Sequence, residues 1–247
     1  MIHILTTLYN CEDYIEKCLG SIMGQKYRNF KCYITDDLST DNSIGKVENM
    51  IKEDDRFILI KNSDKFYQPG NYDQVIRGDY GIDDNDIIVE VDGDDWLPDS
   101  KVLERVSKLY EDDDVWIANG RFKYVGGEIG FAAPPKNIDI IRRETFTASH
   151  LRTWRAFLWR NIKQEDLKDE NGLYWKVAGD LAFMFPMIEM SGYKHYRFME
   201  EVNYIYNSDN PLNDHKVNIN SVNEIVVRIR NKTPYSKLTR DANITQE

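Results

Sequence analysis

The chain has 247 residues, 41% of them hydrophobic and 30% charged, which is enough apolar mass for one large α/β domain or two small ones. Its formal net charge of −10 argues against nucleic acid as a partner, because a phosphate backbone attracts a basic face. No run approaches the ~20 apolar residues of a membrane span, and the chain starts on a strand-like segment rather than a signal peptide, so a soluble cytoplasmic protein is expected. Cys11, Cys18 and Cys32 lack zinc spacing and read as reduced, buried thiols, with the first two on one helical face. Without secretion the sequons at Asn231 and Asn243 are expected to stay unused.

In chain order, Ile2 to Leu8 reads as a buried strand. Tyr9-Asn10 turns into a helix from about Glu12 to Gly24, with Tyr14, Ile15, Cys18, Leu19, Ile22 and Met23 at helical spacing. Phe30, Cys32 and Ile34 alternate as a second strand ending at Asp36-Asp37. Ser39-Thr40-Asp41 offers N-cap chemistry for a helix carrying Ile44, Val47, Met50 and Ile51. Phe57 to Ile60 is a third strand, and a loop with Pro69-Gly70 leads to a helix with Val75 and Ile76. Ile87 to Val91 is a fourth strand, and it runs into Asp92, Gly93, Asp94 and Asp95. Asp99 can cap a helix carrying Val102, Leu103, Val106 and Leu109, and Val115 to Ala118 is a fifth strand.

Strands alternating with helices imply βαβ units and a mostly parallel central sheet flanked by helices. Ligands bind beyond the carboxyl ends of such strands. Tyr9-Asn10, Asp36-Asp37 and Asp92 to Asp94 all fall there, so one sheet edge should gather them. Three carboxylates within four residues repel each other unless a cation sits among them, and hard oxygen ligands suit Mg²⁺ or Mn²⁺. A solvated acidic turn is the other reading, since Asp-Gly is a common turn dipeptide.

After about Asn119 the alternation stops. Arg121 to Ile129 looks like a hairpin turned at Gly126-Gly127, and Phe131 to Lys136 like a loop. His150 to Ile162 is expected to form an amphipathic helix with Leu151, Trp154, Leu158 and Ile162 on one side. Leu181 to Met190 is expected to be an apolar helix interrupted by Pro186. Val202 to Tyr206 is a short strand, and about Ser221 to Arg230 a final helix before a tail. With no linker or repeat, residues 1–247 read as one domain: a nucleotide half to about 118, an acceptor half over about 119–216, and a C-terminal helix and tail.

Tyr9-Asn10-Cys11-Glu12-Asp13-Tyr14-Ile15, Ser21-Ile22-Met23-Gly24-Gln25, Asp36-Asp37-Leu38-Ser39-Thr40-Asp41 and Asp92-Gly93-Asp94-Asp95 resemble, in that order, family 2 glycosyltransferases of the GT-A fold. Ser149 to Thr153, Gly179-Asp180, Pro186 to Met190, and Tyr206-Asn207 with Asn210-Pro211 resemble a subset of that family. The resemblance implies a metal-dependent, inverting transfer of a sugar from a nucleotide-sugar, a UDP-sugar above all. The acceptor would be a hydroxyl of a glycan, a lipid-linked sugar or a protein. Thr7, Leu8 and Tyr9 match the segment lining base and ribose, Asp37 the carboxylate that bonds the pyrimidine, and Asn71 a polar residue facing the nucleotide. Asp92, Gly93 and Asp94 match the DxD motif, with Asp94 the metal ligand and Asp92 reaching ribose or metal through water. Asp180 matches the catalytic base; the alternative is a helix N-cap. His215 is a candidate third metal ligand or an exposed turn histidine. The absent Gln-x-x-Arg-Trp element argues against processive synthesis.

His150 and Arg152 either face the acceptor or diphosphate, or merely cap and pair with an acid. Lys65 and Arg77 reach phosphate or lie on the surface. His3 and His195 read as structural, Trp96 and Trp154 as core, and Asp112 to Asp114 as a solvated turn. Two other classes stay open: a sugar-phosphate nucleotidyltransferase, and a non-catalytic nucleotide-sugar or glycan-binding module. The donor sugar, the acceptor and the oligomeric state are left open by the sequence.

Overall fold

A computed structural model describes residues 1–212 and 219–239. The predicted βαβ alternation is present. Strands β1 (Ile2–Leu8), β2 (Phe30–Asp36), β3 (Phe57–Lys61) and β4 (Ile87–Glu90) alternate with helices α1 (Ile15–Met23), α2 (Ser43–Ile51) and α3 (Tyr67–Ile76). Helix α4 (Val102–Leu109) and strand β5 (Ile117–Tyr124) follow. Then come β6 (Thr153–Arg155), α5 (Ala156–Arg160), α6 (Gly179–His195), β7 (Tyr196–Tyr206) and α7 (Ile219–Arg230).

The seven strands form one mixed sheet in the order β3-β2-β1-β4-β6-β5-β7. β1 pairs in parallel with both β2 and β4, β2 with β3, and β5 with β7, while β6 runs antiparallel to β4 and β5. Parallel strands of this kind are buried on both faces, and the structure has a core on each. Ile2, Ile4, Ile34 and Val89 meet Ile15, Cys18, Leu19, Val47, Val102 and Val106 from α1, α2 and α4. Leu5, Tyr33 and Ile88 meet Trp154, Trp159, Phe183 and Phe185 on the other face, with α3, α5 and α6. All three cysteines are buried thiols, and burial raises Cys32 to about 12.

Three expectations need correction. Residues 150–162 are not one helix: Thr153–Arg155 is a strand in the middle of the sheet, and helix is confined to Ala156–Arg160. Thr153, Trp154 and Arg155 are all buried, so the period-2 alternation that marks a strand is erased and the flanking apolar residues imitate helical spacing. Pro186 does not interrupt α6; the non-helical backbone lies at Gly192, with φ 56°. The strands after the alternation are also longer or shifted. β5 starts at Ile117 and runs on to Tyr124, and β7 begins at Tyr196, with its register against β5 slipping at Gly120 and Arg121. The turn at Gly126-Gly127 is present, and its return arm is a single bridge from Lys123 to Ile129.

Candidate active site

The loops after β1, β2 and β4 do converge. The Asp37 N–H donates to the Leu8 carbonyl at 2.8 Å, and the Gly93 N–H to the Thr7 carbonyl at 3.1 Å. Asn10 accepts from the Thr40 N–H at 2.8 Å, and its own N–H donates to Ser39. Four non-glycine residues with positive φ, Asn10, Leu38, Tyr67 and Ala178, flank this region. Such backbone costs about 1–3 kcal/mol per residue and clusters where geometry serves function.

The carboxylate of Asp37 is buried behind the loop that follows β3. It accepts from the N–H groups of Phe66 (2.8 Å) and Tyr67 (3.0 Å) and from Asn62 Nδ2 (3.1 Å). Asn71 is buried beside it and accepts from Asn62 and Gln74. Leu8 buries its side chain in the core, and Thr7 is half-buried with an unpartnered hydroxyl oxygen. Tyr9 is 42% exposed, and Lys65 lies over its ring at 3.0 Å while donating to the Asp37 carbonyl. This pair makes a cationic aromatic ledge at the mouth of the strands.

Beyond β4 the three aspartates separate by role. Asp95 is buried and accepts the Asn207 N–H at 2.6 Å, so it ties the turn to the segment after β7. Asp94 is half-buried and accepts from Asn210 Nδ2 at 2.7 Å. Asp92 faces Gln68 Nε2 at 3.3 Å and His150 Nε2 at 4.0 Å. Burial raises the pKa of all three; repulsion from Glu90 and then Asp94 adds to it for Asp92, and repulsion from Asp94 and Asp92 adds to it for Asp95. Gly93 belongs here for steric reasons: a Cβ would stand 2.8 Å from the Thr7 carbonyl oxygen.

Glu90, the last residue of β4, is fully buried. It was not singled out as a functional residue in the sequence, although an acid inside an apolar strand must find a partner. Its Oε1 accepts from Arg152 Nη1 at 2.8 Å and Gln68 Nε2 at 3.0 Å. Arg152 Nη2 donates to Asp180 Oδ2 at 2.7 Å, so Arg152 pairs with two acids. Asp180 lies in the first turn of α6, where its Oδ1 also accepts the Leu181 N–H at 2.9 Å. His150 opens no helix. It is buried, stacked on Tyr204 with ring centroids 4.5 Å apart, and burial followed by the Arg152 charge pushes it well below the usual imidazole range. One ligand atom each from Glu90, Asp92 and His150 lies within 4.8 Å of the others. His215 lies outside the described residues.

Other side chains singled out in the sequence are structural. Arg77 donates to the carbonyls of Trp159, Arg160 and Ile162 at the end of α5. His3 bonds Asp86 and Tyr33, His195 stacks on Trp116, and Trp154 is core. Trp96 is half-buried under the Lys17 ammonium. Asp112 and Asp114 pair with Arg197 and Lys194.

A mixed sheet with carboxylates gathered past its parallel strands is the architecture of GT-A glycosyltransferases, and the solved structures it resembles have that fold. It superimposes on Staphylococcus aureus TarS 1–349 in complex with UDP-GlcNAc with a TM-score of 0.66, at 16% identity, covering 92% of this chain and 66% of that one. For a Pyrobaculum calidifontis mannosyltransferase in complex with GDP-Man and Mn²⁺ the TM-score is 0.60, at 16% identity over 95% of this chain and 65% of that one. The chain belongs to glycosyl transferase family 2, whose pattern matches residues 3–176. Among curated relatives, the putative glycosyltransferase EpsH of Bacillus subtilis is 22% identical over 90% of this chain. An uncharacterized glycosyltransferase of Haemophilus influenzae is 27% identical over 57% of it. The chain spans 62% and 56% of the length of these two relatives. Among the described residues, no helix is long and apolar enough to cross a membrane.

Proposed function

We propose that the protein is a metal-dependent, inverting glycosyltransferase that moves a sugar from a UDP-sugar to an acceptor hydroxyl. The observation that carries this reading is a continuous hydrogen-bonded chain running Asp92–Gln68–Glu90–Arg152–Asp180. It joins the carboxylates suited to the donor diphosphate to a partly exposed carboxylate suited to the acceptor. The family membership and the nucleotide-sugar complexes of the structural neighbours support the donor class.

The residues fit a divalent cation. Asp92 and Asp94 offer hard oxygens in a place that burial makes costly for uncompensated charge, and Glu90 Oε2 is buried with no hydrogen-bond partner. Mn²⁺ or Mg²⁺ bound by Asp94 and Asp92 supplies positive charge against the diphosphate leaving group. Thr7, Leu8, Tyr9, Asp37 and Asn71 shape the nucleoside end, Asp37 and Asn71 by holding the loop over residues 62–67 and Tyr9 by presenting its ring. Gly93 lets the DxD turn approach β1. Asp180 is the base: the acceptor hydroxyl gives its proton to a carboxylate oxygen and bonds to the anomeric carbon. The bond from that carbon to the phosphate oxygen breaks on the opposite face, and its electron pair leaves with the diphosphate. The acceptor is a glycan, a lipid-linked sugar or a protein side chain.

Thermal unfolding with nucleotides tests this. UDP with Mn²⁺ is expected to raise Tm by about 5 °C or more at ~100 times Kd, and EDTA to reverse it. No shift with any nucleoside diphosphate and metal rejects the reading.

A further inference from the structure

The Arg152 guanidinium is held on three sides by three different acceptors. Nε donates to the Ala148 carbonyl at 3.1 Å, Nη1 to Glu90 Oε1 at 2.8 Å and Nη2 to Asp180 Oδ2 at 2.7 Å. Its backbone is pinned as well, because the Glu90 N–H donates to the Arg152 carbonyl at 3.1 Å. Arg152 and Glu90 have almost no exposed side chain, whereas Asp180 keeps 27% of its own. The ion pair is therefore closed to solvent on the Glu90 side and open where a substrate hydroxyl can arrive.

Such an arrangement is expensive to maintain for stability alone. A buried ion pair is often no better than an apolar replacement, although breaking one partner is strongly destabilising. A planar guanidinium can serve three acceptors in fixed directions at once, which a single ammonium nitrogen cannot. The carboxylate of Asp180 is thereby fixed at both oxygens, Oδ2 by Arg152 and Oδ1 by the Leu181 N–H.

We propose that Arg152 is a positioning residue for Asp180, and that Glu90 is the buried counter-ion that fixes Arg152. This rests on the reading of Asp180 as the base. Glu90 also accepts from Gln68, which reaches Asp92, so one buried carboxylate sets the geometry of both ends of the reaction centre.

A double-mutant cycle on the full chain tests it, reading kcat for transfer and, separately, UDP affinity with Mn²⁺. Arg152→Lys is expected to lower kcat by about 10- to 100-fold, the scale of a misplaced catalytic group, with UDP affinity unchanged within about twofold. Asp180→Asn is expected to lower kcat by about 10²- to 10⁴-fold. In the Asp180→Asn background, Arg152→Lys should have no further effect, because Arg152 acts through the carboxylate already removed. Equal losses in both backgrounds, or a loss confined to UDP affinity, overturn the positioning role. An Asp180→Asn protein with parental kcat overturns the base reading itself, which separates the two failures. Should Arg152→Lys show no cooperative melt, Arg152→Gln takes its place in the same cycle, with the same non-additivity expected.

Discussion

The Tyr204 hydroxyl accepts the backbone N–H of Asp92 at 3.1 Å and lies 3.5 Å from the Asp92 carboxylate. The two residues are 112 positions apart, and Tyr204 is fully buried. The turn over residues 92–95 is therefore held from below by β7. Tyr204→Phe leaves the Asp92 N–H without this partner, at a cost of about 1–3 kcal/mol. The expected outcome is a lower urea midpoint together with weaker UDP binding in Mn²⁺. Unchanged values for both reject this support.

Asp94 accepts from Asn210 and is half-buried. Asp94→Asn keeps the shape but removes an anionic ligand. It is expected to abolish the Mn²⁺-dependent part of UDP binding while leaving the melting temperature of the free protein within about 2 °C, as befits a small change at a site of costly charge. Calorimetry with and without EDTA reads both.

Gly93→Ala forces a methyl group to within 2.8 Å of the Thr7 carbonyl oxygen. Backbone must give way, since the clashing atom is a main-chain oxygen and not the end of a flexible side chain. A destabilisation of about 1–3 kcal/mol is expected, with a loss of donor affinity, both measurable on the purified variant.

Arg155 is buried and donates to the carbonyls of Val115, Asn85 and Tyr110 at 2.8, 3.1 and 3.1 Å. It ties β6 to the loops before β4 and β5. Arg155→Met keeps most of the volume and leaves those carbonyls with fewer donors. About 3 kcal/mol of stability should be lost, read as a fall in the denaturant midpoint with activity per folded molecule retained.

The Arg56 guanidinium grips Asp54 with two bonds, 2.8 and 2.5 Å, just before β3. That hydrogen bond holds Asp54 below the usual carboxylate range despite some burial. Unfolding at neutral pH then exposes a carboxyl that binds protons more readily than the folded one. The contribution is thus complete above the ordinary value of about 4 and fades as pH falls through the folded value. Asp54→Asn is expected to lose about 1 kcal/mol at pH 7 and progressively less toward pH 3 in parallel denaturant titrations.

The first four strands and their carboxyl ends were legible because each strand and helix carries its own period, and because such sheets place ligands at that edge. Asp92 to Asp95 stood out as a local concentration of charge. Gln68, Glu90 and Tyr204 did not, since their contacts span 22, 62 and 112 residues. Arg152 reads two ways in the sequence because its partners are set by the pairing of β6 with β4. The β6 strand itself was hidden because burial on both faces removes the alternation that identifies a strand.

The position of β6 also limits how this chain can be cut and recombined. Residues 153–155 come from the second half of the chain, yet they fill the gap between β4 and β5. A fragment ending near residue 118 would expose the edge of β4 as an open template for pairing with other chains. It would also leave Glu90 buried without its arginine. Recombination between relatives must therefore leave that short crossing strand with the sheet it completes.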